Sequence, residues 1–327
     1  MNLPALLGHR SPALPRSAPG GEDVATGPPA EPRRPRPKAL AYLALTKPRI
    51  IELLLVTTLP TMVVAAKGLP GGWLVLETLI GGSLAAGGDN AINMVVDRDI
   101  DRLMKRTAGR PLVTGELTPR AALAFAIGLE VVAFVELALL VNLLSALLAL
   151  SATLFYVFVY TLWLKRTSEQ NIVIGGAAGA VPTLVGWTAV TGHLALAPVV
   201  LFALIFVWTP PHFWALAMRY RDDYEAADVP MLPVVASFAR TARQIVLYTI
   251  AVCIVSLVFG AVAGMGAIYW VSAVILGAVF LTYAVRLQRG GSPAPAMRLF
   301  GWSITYVTLL FGAMALDTLV RAAFGRG

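Results

Sequence analysis

The chain has 327 residues, 57% of them hydrophobic and 13% charged, with a formal net charge of +8. That composition excludes a soluble globule with a single polar surface and leaves a polytopic, all-α membrane protein in contact with the lipid bilayer. The one cysteine, Cys253, excludes an internal disulfide and lies in an apolar run, where it reads as a small core residue.

Residues 1–40 are rich in Pro, Gly and Arg and hold no apolar run of the kind a cleaved signal needs. They read as a disordered cytoplasmic tail ahead of a transmembrane domain at 41–327. A mitochondrial transit peptide is the alternative, opposed by Glu22, Asp23, Glu31 and the many prolines. Nine apolar runs follow, at 48–67, 72–95, 119–141, 143–163, 172–191, 195–217, 243–264, 267–286 and 299–320. Each is near the length of about 20 residues that a helix needs to cross the hydrocarbon core. With the N-terminus inside and the C-terminus outside, the cytoplasmic segments carry 23 of the 26 Lys and Arg, leaving only Lys67, Arg321 and Arg326 on the other side. The expectation is therefore about nine helices around a central cavity. The net charge reflects this topology and calls for no nucleic-acid partner.

The second run ends in Asn93-Met94-Val95-Val96-Asp97-Arg98-Asp99-Ile100-Asp101, acidic groups closing a segment otherwise fit for lipid. At 3.6 residues per turn, Asn93, Asp97 and Asp101 share one helical face while Asp99 points elsewhere. Clustered carboxylates repel unless a cation lies between them, and hard oxygens favour Mg²⁺, which also binds phosphate oxygens. Arg102, Lys105, Arg106 and Arg110 follow at the same mouth, placed to hold the oxygens of a diphosphate; a solvated cytoplasmic loop is their alternative reading.

In the sixth run, His212 follows Pro210 and Pro211, where distorted backbone lets a side chain face a cavity. A hydrogen-bonded structural role competes with a ligand-binding one there. Beyond it comes Arg219-Tyr220-Arg221-Asp222-Asp223-Tyr224-Glu225-Ala226-Ala227-Asp228-Val229-Pro230, a second acidic segment four runs after the first and so on the same face of the membrane. This spacing suggests a weak internal repeat whose two helix ends converge on one cavity. Asp222 and Asp223 are adjacent and cannot both face it; Asp223 is the favoured candidate, with Asp228 a further metal candidate.

These residues resemble the UbiA-type intramembrane prenyltransferases, whose Asn-x-x-x-Asp-x-x-x-Asp hallmark Asn93, Asp97 and Asp101 match in full. Within that family the haem-farnesylating branch is the most similar. The likeness is carried by Leu45-Thr46-Lys47-Pro48-Arg49, Arg106-Thr107-Ala108-Gly109-Arg110-Pro111-Leu112, Tyr160-Thr161 to Lys165-Arg166 leading into Asn171-Ile172-Val173-Ile174-Gly175-Gly176, Pro210-Pro211-His212-Phe213-Trp214, and Asp223-Tyr224 to Pro233. Thr183 stands where the resemblance leads one to expect a second proline, and the second loop lacks a clean Asp-x-x-x-Asp. What the resemblance implies is transfer of a farnesyl group from farnesyl diphosphate to a vinyl group of haem b. Lys165 and Arg166 then join the diphosphate-binding set, His212 contacts haem, and a haem A synthase or a haem-copper oxidase assembly takes the product. A quinone or chlorophyll precursor as acceptor, or a secondary transporter, are the competing readings.

Overall fold

The structure, a computed structural model, describes residues 36–325, and of residues 49–55 the backbone alone. The predicted tail therefore lies outside the described residues up to position 35. Its last three residues, 38–40, already belong to the first helix.

The described chain is helical throughout. In order come α1 (Lys38–Thr46), α2 (Pro48–Ala66), α3 (Gly72–Val96), the short α4 (Arg98–Leu103), α5 (Pro119–Glu136) extended by a π-helical turn Leu137–Val141, and α6 (Leu143–Leu154). A π-helical run, Phe155–Leu164, carries α6 on into α7 (Lys165–Thr167). Then follow α8 (Asn171–Thr191), α9 (Leu196–Arg219), the short α10 (Arg221–Ala226) and α11 (Leu232–Val235), α12 (Phe238–Val262), α13 (Ala267–Arg289) and α14 (Ala296–Ala323). Among the described residues, seven helices are long and apolar enough to cross a membrane. With α2 and α3 the long helices match the nine expected runs, each end lying within a few residues of its predicted place.

Local chemistry sets the boundaries. Thr118, Asn142 and Ser237 cap α5, α6 and α12 by accepting the amides of Ala121, Ser145 and Arg240 at 3.3, 2.8 and 3.2 Å. Asn142 is the single extended residue (φ −169°, ψ 158°) that breaks one apolar stretch into two antiparallel helices. The long helices pack on their neighbours in chain order, and α14 closes on α2, so they form a ring; α2–α8 and α9–α14 contacts bridge its interior.

Lipid offers no hydrophobic drive for helix association, so close packing has to supply it. At Gly186 of α8 an added Cβ would lie 2.7 Å from the Thr58 carbonyl oxygen of α2, so only glycine permits that crossing. The side from α9 to α14 holds the main apolar core, with Trp208, Trp214, Tyr269, Phe280, Tyr306 and Phe311 all buried. α8 runs unbroken through Pro182, and Thr183 satisfies its hydroxyl on the Ala180 carbonyl at 2.8 Å, so the missing second proline leaves no gap in the helix.

Candidate active site

The acidic motif straddles a helix break. α3 stops at Val96, Asp97 sits at φ −84° and ψ 8°, and α4 restarts at Arg98. Asp97 N nevertheless donates to Asn93 O at 2.9 Å and Asp101 N to Asp97 O at 2.8 Å, so the i to i−4 ladder persists across the break. The three side chains therefore stay on one stripe, buried at 4%, 0% and 3% exposure, and Asn93 Nδ2 donates to Asp97 Oδ2 at 2.7 Å. Asp99, 65% exposed, points away and is held by both guanidinium nitrogens of Arg166 at 2.7 and 2.8 Å. That bidentate contact keeps the Asp99 carboxyl well below the usual carboxylate range.

Cations ring the stripe. Lys165 Nζ bonds Asp97 Oδ2, Arg110 Nη1 bonds Asp101 Oδ2 at 2.5 Å, and Lys47 Nζ donates to Asn93 Oδ1 at 3.1 Å. Arg166 approaches Asp97 Oδ1 at 3.8 Å. Burial, then the neighbouring charges of Arg110 and Lys165, pushes the Lys47 ammonium down to about 7. Cations that repel one another in a buried place suit an anion arriving between them. Lys47 also holds φ +49°, a left-handed conformation at the α1–α2 corner where glycine costs less, so a lysine there is retained against backbone preference.

The second acidic segment meets the loop that follows the first through a hydrogen bond from Arg106 N to Asp223 Oδ2 at 3.1 Å, through the Arg106 guanidinium 5.4 Å from the Tyr220 ring centroid, and through a buried cluster of Ile100, Met104, Ile172, Tyr224, Val229 and Met231. The two helix ends thus converge as the spacing predicts. Asp222, Glu225 and Asp228 are exposed; Arg221 reaches Glu225 at 3.7 Å, and Asp228 holds φ +51° on the outer side of the loop. Arg102 and Lys105 are exposed too. The structure therefore gathers Asn93, Asp97, Asp101, Arg110, Lys165 and Arg166, sets Asp223 at the junction of the loops, and leaves Arg102, Lys105 and Asp228 on the surface.

A buried asparagine and two buried carboxylates thus stand ringed by four cations, Lys47, Arg110, Lys165 and Arg166, where α3 meets the following loop. The profile of the UbiA prenyltransferase family matches residues 54–314. The chain belongs to the UbiA prenyltransferase family. It is 52% identical to a protoheme IX farnesyltransferase of Kineococcus radiotolerans over 89% of this chain and 92% of that one. It is 55% identical to the Frankia alni protein of the same name, over 86% and 99%. Among solved structures, digeranylgeranylglyceryl phosphate synthase superposes with a TM-score of 0.72 at 17% identity, covering 86% of this chain and 99% of that one. A UbiA homolog from Archaeoglobus fulgidus bound to GPP and Mg²⁺ superposes with 0.57 at 17% identity, covering 83% and 99%. Membership of the UbiA family makes the chain a prenyltransferase and a multi-pass membrane protein, and it removes the transporter reading.

His212 lies outside the acidic end, on α9. Its ring is stacked between Trp208 and Phe300, with centroids at 4.4 and 4.6 Å, and Nδ1 meets Ser303 Oγ at 2.7 Å. The Ser303 hydroxyl already donates to Phe300 O at 2.6 Å, so its oxygen accepts from Nδ1–H. This network assigns the tautomer and leaves the lone pair on Nε2.

Lys47, Thr161, Tyr156 and Asp89 escape a reading based on charge runs. Thr161 Oγ1 is 3.4 Å from Asn93 Nδ2, and Tyr156 stacks on Tyr160 beside Asp97. Lys47 stands with Arg49 on either side of a proline at the entry to the first span, which looks like topology. Asp89 carries a signal that was available: it stands four residues before Asn93 and extends the same stripe.

Proposed function

We propose that this chain transfers a farnesyl group from farnesyl diphosphate to a vinyl group of haem b, giving the hydroxyethylfarnesyl side chain of haem O and releasing diphosphate. The observation that carries the transfer is the buried Asn93–Asp97–Asp101 stripe with Lys47, Arg110, Lys165 and Arg166 around it. The acceptor rests on the identity of more than half of the aligned residues with protoheme IX farnesyltransferases.

The donor set fits a hard divalent cation. Asp97 Oδ1 is buried without a hydrogen-bond partner, and Asn93 Oδ1 and the Asp101 carboxylate share its stripe. These three residues would hold Mg²⁺, which when bound withdraws charge from the leaving diphosphate. Lys165 and Arg110 now neutralise the carboxylates and are placed to turn to diphosphate oxygens, while Arg166 and Lys47 close the sides. The allylic cation forms beneath them in a region shielded by Tyr156 and Tyr160, and the vinyl group attacks it. Asp223 steadies the loop that carries Arg106 and Arg110 by accepting an amide proton, without touching the reacting atoms. His212 is the haem contact, its Nε2 lone pair offered to iron while Ser303 fixes the ring.

The reading includes an inward N-terminus and an outward C-terminus in the cell membrane, which puts the diphosphate site on the cytoplasmic side, and a haem A synthase or haem-copper oxidase assembly as consumer of the product. Incubating the purified protein in detergent with haem b, farnesyl diphosphate and Mg²⁺, with and without chelator, tests the core of it. Mass spectrometry should find a chelator-sensitive farnesylated haem. Diphosphate release only when a quinone precursor replaces haem would discard the acceptor and keep the site.

A further inference from the structure

Asp89 extends the stripe one turn below Asn93, about 6 Å further along the helix axis and away from the loops. Tyr156 is within electrostatic reach of both Asp89 and Asp97, so the two carboxylates share one charged neighbourhood. The carboxyl of Asp89 reaches the hydroxyl of Thr153 on α6, and that hydroxyl donates to Glu130 Oε2 of α5 at 3.0 Å. The arrangement is built closely: at Gly88 an added Cβ would stand 2.3 Å from Glu130 Oε1, so the glycine leaves the glutamate tip room to lie against α3. Two acids brought together inside a membrane are costly to keep for packing alone. Moreover, Asp89 Oδ1 is buried with no hydrogen-bond partner, so one oxygen of the pair is unspent.

The depth matters. The chain of a prenyl diphosphate held at Asn93, Asp97 and Asp101 would run from the loops into the apolar bundle, and Asp89 is the next acidic position of α3 in that direction. We propose that Asp89, backed by Thr153 and Glu130, is the base that takes a proton from the water that ends the reaction. The inference rests on the haem acceptor of the preceding subsection. The carbon–oxygen bond to diphosphate breaks with its electron pair leaving on diphosphate. The vinyl π pair then forms the new carbon–carbon bond and leaves a cation on the carbon beside the porphyrin. Water adds to that cation through oxygen, and its surplus proton passes to Asp89 Oδ1, leaving a neutral alcohol. Thr153 can carry a proton onward by accepting from Asp89 and donating to Glu130. Without the base the cation loses a proton from the neighbouring carbon and ends as an alkene, lighter by one water.

The test is the ratio of alcohol to alkene among haem products, read by mass spectrometry beside the rate of diphosphate release. In Asp89→Asn, which keeps size and shape, the alcohol share should fall by about tenfold or more while diphosphate release stays within about twofold of the parent. Glu130→Gln and Thr153→Val should shift the ratio the same way by less. An unchanged ratio in Asp89→Asn, or an equal loss of diphosphate release and product, assigns the pair to helix packing and overturns the proposal. If Asp89→Asn does not yield folded protein, an unchanged ratio in both milder variants overturns it equally. No haem product from the parent itself overturns the acceptor reading and this inference with it, since a phenolic acceptor regains neutrality by shedding its own ring proton.

Discussion

The two acid-rich segments at one end of the bundle have nearly the same composition and opposite physical situations. In the first, Asp97 and Asp101 are buried and each carboxylate is held by its own cation; in the second, Asp222, Glu225 and Asp228 face solvent and Asp223 accepts a backbone amide. Acid count therefore says little about chemistry. Burial beside cations marks a charge kept for a ligand, whereas exposure beside arginine marks a solvated helix end.

Substitutions can break or sharpen that contrast. Asp97→Asn removes the charge with the orphaned oxygen and should lower kcat by about 10²–10³-fold, read as Mg²⁺-dependent diphosphate release. Full turnover in that variant would falsify the metal assignment. Lys165→Met leaves Asp97 without its main cation and should cost about 10–100-fold in kcat/KM for the diphosphate substrate, with a lower Tm that added Mg²⁺ partly restores. Asp223→Ala frees the Arg106 amide, and KM should rise about tenfold with kcat nearly kept, the worth of one hydrogen bond to a charged group. A kcat collapse there would instead put Asp223 on the reacting atoms.

Asp228→Ala should stay within about twofold of the parent in every constant, as surface changes do; a loss on the scale of Asp97→Asn would erase the contrast altogether. Asp99→Asn should cost at most about 1 kcal/mol in chemical denaturation. Its folded carboxyl is held below the unfolded value, so its contribution is complete above that value and fades as pH falls through the lower one. A stability curve that responds to Asp99→Asn at pH 7 and loses that response only in strong acid is the expected result.

Much of this was legible in the sequence because lipid enforces a simple code. Apolar length located the long helices, and a spacing of four located the Asn93–Asp97–Asp101 stripe, even though the helix breaks at Asp97, because the backbone ladder bridges the break. The surface short helices, α1, α4, α10 and α11, are too brief for a periodic signal. Lys47 was hidden because its role depends on a left-handed corner that swings it onto Asn93 from 46 residues away. Tyr156, and the contact of Thr161 with Asn93, were hidden because the π-helical run resets which faces of that helix turn inward, and no residue pattern marks such a run.

That run, Phe155–Leu164, also governs what changes the enzyme can absorb. Its outer side chains, Phe158, Leu162 and Trp163, meet lipid and are individually replaceable by other apolar residues. Its length is another matter. Removing one residue would turn everything beyond it by one residue's step around the axis relative to the helix before it. Lys165 would then swing off Asp97 and Arg166 off Asp99. A stretch forgiving of substitution is thus intolerant of deletion, and Lys165 is phased onto the acidic stripe by counting residues as much as by their kind.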